Sequence, residues 1–169
     1  MNIPTVIVNK VKQTSSPLEN RWFIHAEKAL NSINCVTTSN YCYDDISRCA
    51  NTLERLYKGF LQAANDHCDF YSLPSPDFLN ADHDILGMVL EIKQHFTDVF
   101  PYMDRSDWRE MKNFYRDLRK VYTESRYMTY PSYEEFLQLK EFTNQQFEMI
   151  YSYIKEGKLT KDYDFELDY

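Results

Sequence analysis

From Leu18 onward one pattern repeats along the chain: large apolar residues return every three or four positions, with charged or amide side chains between them. This spacing marks amphipathic helices, which bury one stripe and solvate the rest. It predicts five of them. The first spans residues 18–35, with Trp22, Ala26, Ala29, Leu30 and Ile33 on one face. The second spans 43–67 and aligns Ile46, Cys49, Ala50, Leu53, Tyr57, Phe60, Leu61 and Ala64. A third, capped by Asp82, carries Ile85, Leu86, Val89, Ile92 and Phe96 and runs until Pro101. A fourth, over 104–127, aligns Trp108, Met111, Tyr115, Leu118 and Tyr122. The fifth opens on Pro131-Ser132 with Glu135 completing a capping box, carries Phe136, Leu139, Phe147, Ile150, Tyr151 and Ile154, and stops at Gly157.

The connections between these segments are mostly short, so neighbours pack antiparallel. The expected fold is all-α, an antiparallel up-and-down bundle of four to five helices. Only three glycines and six prolines in 169 residues leave few turns for a many-stranded alternative, and the length suits one core. Residues 1–17, with Thr5-Val6-Ile7-Val8 and then Gln13-Thr14-Ser15-Ser16-Pro17, read as an arm, 18–157 as the bundle, and 158–169 as a tail. Residues 69–81, which hold Pro74 and Pro76, read as a loop long enough to be functional. The tail's Asp162-Tyr163-Asp164-Phe165-Glu166-Leu167-Asp168-Tyr169 alternates acid and hydrophobe with period two. That suits an extended strand or a solvated segment with a partner, and not a helix.

A formal charge of −7 argues against indiscriminate coating of nucleic acid, which is driven by Lys and Arg displacing counterions, but it leaves room for a local basic patch. No apolar run approaches the roughly 18 residues that cross a bilayer, and the first residues lack a signal peptide's basic and apolar stretches. A cytoplasmic protein with no membrane contact is expected. Cys35, Cys42, Cys49 and Cys68 show neither CxxC pairing nor a histidine at zinc-site spacing. Free thiols, no metal and no cofactor are therefore expected.

The candidate chemistry is basic. Arg105, Arg109, Lys112, Arg116 and Arg119 recur at intervals of four, three, four and three, which holds them in one strip of the fourth helix, with Arg126 near its end. The strip reads as a track for phosphates or an acidic partner, or as a solvated face whose potential is blunted by Glu110, Asp117 and Glu124. The fourteen tyrosines read as core and interface residues before they read as a base-stacking platform.

Four stretches, in order, resemble the HEPN domain family over about residues 20–154. Arg21-Trp22-Phe23-Ile24-His25-Ala26-Glu27-Lys28-Ala29-Leu30 resembles its opening helix, and the second helix carries Glu54 with Lys58 four residues on, as the family's does. His83-Asp84-Ile85-Leu86 is similar to the His-Asp-Leu that opens the third helix, and Tyr122-Thr123-Glu124-Ser125-Arg126-Tyr127 to the Tyr-x-x-x-Arg-Tyr that closes the fourth. The resemblance implies a homodimer and, in the family's ribonucleases, an Arg followed after four to six residues by a His that cleaves RNA without metal.

This chain departs from that motif. Arg126 is followed by Tyr127-Met128-Thr129-Tyr130-Pro131-Ser132-Tyr133, and Arg21 reaches His25 after only three residues. Cleavage near neutral pH leans on a group that titrates there, usually His. The expected role is thus a non-catalytic module that binds a nucleotide, RNA or a cognate protein through Arg126, Arg119, Arg116, Lys112, Arg109, Glu54, Lys58 and His83. The bland alternatives are a helix-surface ion pair for Glu54 and Lys58 and a capping or packing role for His83. A ribonuclease toxin with a rearranged site, drawing His25, His83 or His95 to Arg126, and an adaptor or antitoxin-type interaction domain are the other functional alternatives.

Overall fold

The computed structural model describes residues 16–42, 44–68, 71, 84–123 and 132–159, with the side chains of 121–123 excepted. Among the described residues a 3-10 turn, Pro17–Glu19, leads into five helices: α1 (Arg21–Asn34), α2 (Asp44–His67), α3 (Ile85–His95), α4 (Arg105–Thr123) and α5 (Tyr133–Lys155). Among the described residues there is no strand, and no helix is long and apolar enough to cross a membrane.

The helix ends follow local side-chain chemistry. Asn20 caps α1 by accepting from the Trp22 and Phe23 N–H groups, and its amide donates to the Gly59 carbonyl at 3.0 Å, tying the start of α1 to the middle of α2. At α4, Asp104 and Asp107 cap each other's backbone N–H groups reciprocally, at 2.8 and 3.2 Å. Ser132 caps α5 by accepting from Glu135 N–H, as its sequence predicts. Gly157, at φ 77°, closes α5 with paired bonds from Gly157 N–H to the Ile154 carbonyl and from Lys158 N–H to the Tyr153 carbonyl.

Three boundaries differ from expectation. The turn at Pro17–Glu19 precedes α1, which starts at Arg21 and not at Leu18. The third helix is capped by Asp84, which accepts from Gly87 N–H, and not by Asp82. It also ends at His95 instead of continuing to Pro101, because the chain turns at Thr97–Asp98 and directs Phe96, Val99 and Phe100 into the core from irregular backbone.

The helices form one bundle, and α2 is its axis. It packs against each of the other four, whereas α1 and α4, like α4 and α5, share no backbone contact among the described residues. Consequently α2 is buried nearly all round, and from Leu56 to Leu61 every residue is buried. In α1 the face is rotated from the expected one: Phe23 is fully buried and Trp22 is half-buried.

The approach of α1 to α2 depends on Gly59. A Cβ built there would stand 2.7 Å from Cε1 of Phe23, inside any real contact distance, and that ring is fully enclosed. Alanine gains about 1 kcal/mol in helix propensity, but overpacking a rigid site costs about 1–3 kcal/mol. Gly59→Ala is therefore expected to destabilise by up to about 2 kcal/mol net in urea unfolding. A stabilised variant would show that the Phe23 ring yields freely.

Candidate basic groove between two helices

Lys93 from the last turn of α3, and Arg105, Trp108, Arg109, Lys112 and Arg116 from α4, line a groove of about 330 Å³ along the seam of the two helices. Its centre is Trp108. The Lys93 ammonium lies 3.6 Å from the centroid of the indole, a cation–π contact, and Phe100 packs edge-on against the same ring at 6.1 Å. Arg105, Arg109 and Arg116 are exposed, and Lys112 is half-buried. Arg116 donates to Asn113 Oδ1 at 3.3 Å. Among the described residues no carboxylate is ion-paired to any of these five cations.

The acids expected to blunt the strip stand elsewhere. At about 100° per residue, Glu110 and Asp117 lie about 120–140° round α4 from the centre of the basic strip. Both line a separate apolar channel of about 490 Å³ between α4 and α5, with Met111, Phe114, Leu118 and Phe142 among its walls and Glu135 at its rim. The helix is thus bipolar: its basic side faces the α3 seam and its acidic side the α5 channel. Over the Debye length of about 8–10 Å at physiological salt, that separation lets the groove keep a local positive potential inside an acidic protein.

Of the residues marked in the sequence, the structure brings together Arg109, Lys112 and Arg116, with Arg105 beside them. Arg119 continues the exposed strip one turn on and makes a further interaction of its own. Arg126 and His83 lie outside the described residues, as does Glu124. Glu54 and Lys58 do not join the groove. They form a buried ion pair on α2, at 3.2 Å with side chains 4% and 9% exposed, and the Lys58 ammonium lies 4.8 Å from the Trp22 ring, which Arg21 also covers at 4.7 Å. The reading of a helix-surface pair is corrected here: α2 is the bundle's axis, so a surface-type Glu-to-Lys spacing falls in the interior, sealed by α1.

Lys93 was not legible as a site residue, since it comes from a neighbouring helix and only packing sets it over Trp108. Among the described residues no histidine lines the groove. His25 is exposed on α1, a helix with no contact to α4. His95 pairs with Glu91 at 3.3 Å and stacks edge-on against Tyr71, whose hydroxyl donates to the same Glu91. Burial, then the Glu91 charge, pushes the Tyr71 phenol well up. The four cysteines are free, Cys35 and Cys42 exposed and Cys49 and Cys68 buried. Among the described residues no group of three or more His, Cys, Asp or Glu side chains is placed to hold a metal ion.

No protein-family description, curated protein or solved structure matches the chain.

Proposed function

We propose that this chain is a non-catalytic, HEPN-like helical module that binds single-stranded RNA through phosphates laid along the α3–α4 groove. One observation carries the reading: five cations line a single groove around an indole, with no carboxylate paired to them among the described residues, in a chain whose net charge is −7. From Arg105 to Arg116 the α4 cations extend over about 16 Å of helix axis. A mononucleotide would leave most of that length unused, whereas a strand engages it phosphate by phosphate. Trp108 offers a hydrophobic edge beside the phosphates, and among the described residues the lining holds no histidine or carboxylate to serve in-line cleavage. The RNA is expected to stay intact.

Fluorescence polarisation with a labelled oligouridine tests this. For single strands the logarithm of affinity falls by about 0.7 per phosphate contact for each decade of salt, so four contacts predict a loss on the order of 50-fold between 50 and 200 mM. Arg109→Glu with Arg116→Glu is expected to weaken binding on the order of 100-fold and to flatten the salt slope by the equivalent of about two contacts. Affinity indifferent both to salt and to the double substitution would overturn the proposal. Light scattering on the same samples tests the homodimer that the family resemblance implies.

A second reading, a protein-interaction module, is favoured by the apolar channel between α4 and α5 with its rim of Glu110, Asp117 and Glu135. It predicts a partner that co-purifies at fixed ratio and carries no nucleic acid.

A further inference from the structure

We infer that the α3–α4 groove also takes an acidic peptide, and that its resident occupant is the segment 160–169 of the same chain. This inference deepens the RNA-binding reading, since it assigns the same cations a competing intramolecular ligand. Three observations support it.

The first is how the end of α5 is anchored. The Gly157 stop turns the backbone so that Leu159 is buried in the core at 1% exposure. One turn earlier on α5, the Tyr153 hydroxyl donates to Asp98 at 2.9 Å, and Asp98 belongs to the connection between α3 and α4. Two residues further along that connection, Phe100 touches Trp108 in the groove. The last turns of α5 are thus tied, through Tyr153 and Asp98, to the connection that carries Phe100 onto Trp108. Ten residues reach roughly 33 Å when extended, more than enough to run along it.

The second is charge. Asp162, Asp164, Glu166 and Asp168 are four carboxylates in eight residues. They are opposite in sign and close in number to the five groove cations, which have no carboxylate partner among the described residues.

The third is spacing. Strict alternation places the four carboxylates on one side of an extended chain at roughly 6.6 Å intervals, a run of about 20 Å. Arg105, Arg109, Lys112 and Arg116 are spread over about 16 Å of helix axis, and the reach of arginine side chains covers the difference. A segment tethered at its start acts at roughly millimolar effective concentration, so even an intrinsic affinity near 0.1 mM masks the groove about 10-fold.

The test uses the full-length chain with Asp162→Asn, Asp164→Asn, Glu166→Gln and Asp168→Asn. The control is Glu134→Gln, Glu141→Gln, Glu148→Gln and Glu156→Gln, four exposed acids of α5 and its cap whose loss changes the net charge equally. The first variant is expected to bind oligouridine about 10-fold more tightly than the natural chain, at every protein concentration, and the control to change much less. In a second arm without RNA, a labelled peptide of residues 160–169 is added to the neutralised variant, and its binding is expected to vanish when Arg109→Glu and Arg116→Glu are added. Equal tightening by both charge variants, or peptide binding that survives the arginine reversal, overturns the intramolecular ligand. Peptide binding without any RNA binding upholds it and sinks the RNA reading instead. RNA binding without peptide binding does the reverse.

Discussion

Replacing Lys58 by methionine is expected to remove about 3–5 kcal/mol of unfolding free energy, the largest effect of any single substitution considered for this fold. The figure follows from burial. Glu54 and Lys58 are 3.2 Å apart with side chains 4% and 9% exposed, so removing either one takes a counter-charge from a group that burial has already stripped of water. The substitution leaves the Glu54 carboxylate in the interior of α2 and takes the ammonium from the Trp22 ring. Against a typical domain stability of about 5–15 kcal/mol, a large part of the fold's margin is lost. Changing both residues, Glu54→Leu with Lys58→Met, is expected to restore stability to within about 1–2 kcal/mol of the natural chain, since two apolar side chains of similar volume leave no buried charge behind.

Urea unfolding of the two single variants and the double variant measures the coupling, and oligouridine binding by the double variant separates two roles for these residues. A buried structural pair predicts a stable double variant with unchanged RNA affinity. Lost affinity in a stable double variant would return Glu54 and Lys58 to the ligand-binding role expected of them from the sequence.

That pair also shows where sequence reasoning stops. The apolar face of α2 was readable position by position, because burial at three-and-four spacing leaves a periodic trace, and all eight residues picked out on it are buried. The trace says nothing about the opposite face of a helix enclosed on all sides, and there charged residues look like surface residues. In α1 the ambiguity was between neighbours. Trp22 and Phe23 both keep helical spacing with Ala26 and Ile33, and packing against Gly59 selects Phe23. At the end of α3, Ile92, Phe96, Val99 and Phe100 continue the helical period through a turn that is not helical. Ser132 and Gly157, whose roles are set within one turn of backbone, were placed correctly.

The site divides in the same way. The basic strip is a property of one helix and was visible. The contribution of Lys93, which depends on how α3 lies against α4, was not.

Raising the pH is expected to unfold the bundle cooperatively before pH 12, because its helices are joined by buried acids that are held neutral. The Tyr57 hydroxyl donates to Gln146 Oε1 at 2.9 Å and meets the Tyr115 hydroxyl at 2.8 Å, one link from each of α2, α5 and α4. Burial pushes both phenols well above their ordinary value of 10.0, and for Tyr57 the neighbouring Tyr115 adds to the rise. Burial, then the Asp45 charge, pushes the Cys49 thiol from 9.0 up to about 12.

For each of these groups the folded state holds its proton more tightly than the unfolded chain does. The stabilisation is complete below the unfolded values, about 9 for the thiol and 10 for the phenols, and is lost as pH climbs through the folded ones. The slope is on the order of 1 kcal/mol per pH unit per group. Three groups acting together therefore remove several kcal/mol by pH 12, the scale of a whole domain's stability.

Phenolate absorbance and far-UV circular dichroism, followed in one alkaline titration, check this. The buried tyrosines should ionise only together with the loss of helix. In a Tyr57→Phe variant the Gln146 carbonyl loses its donor, so unfolding should come at lower pH even though one ionisable phenol is gone. Smooth ionisation of all fourteen tyrosines with the helices intact would mean that the junction of α2, α4 and α5 is wet, and that the bundle is held by its apolar contacts alone.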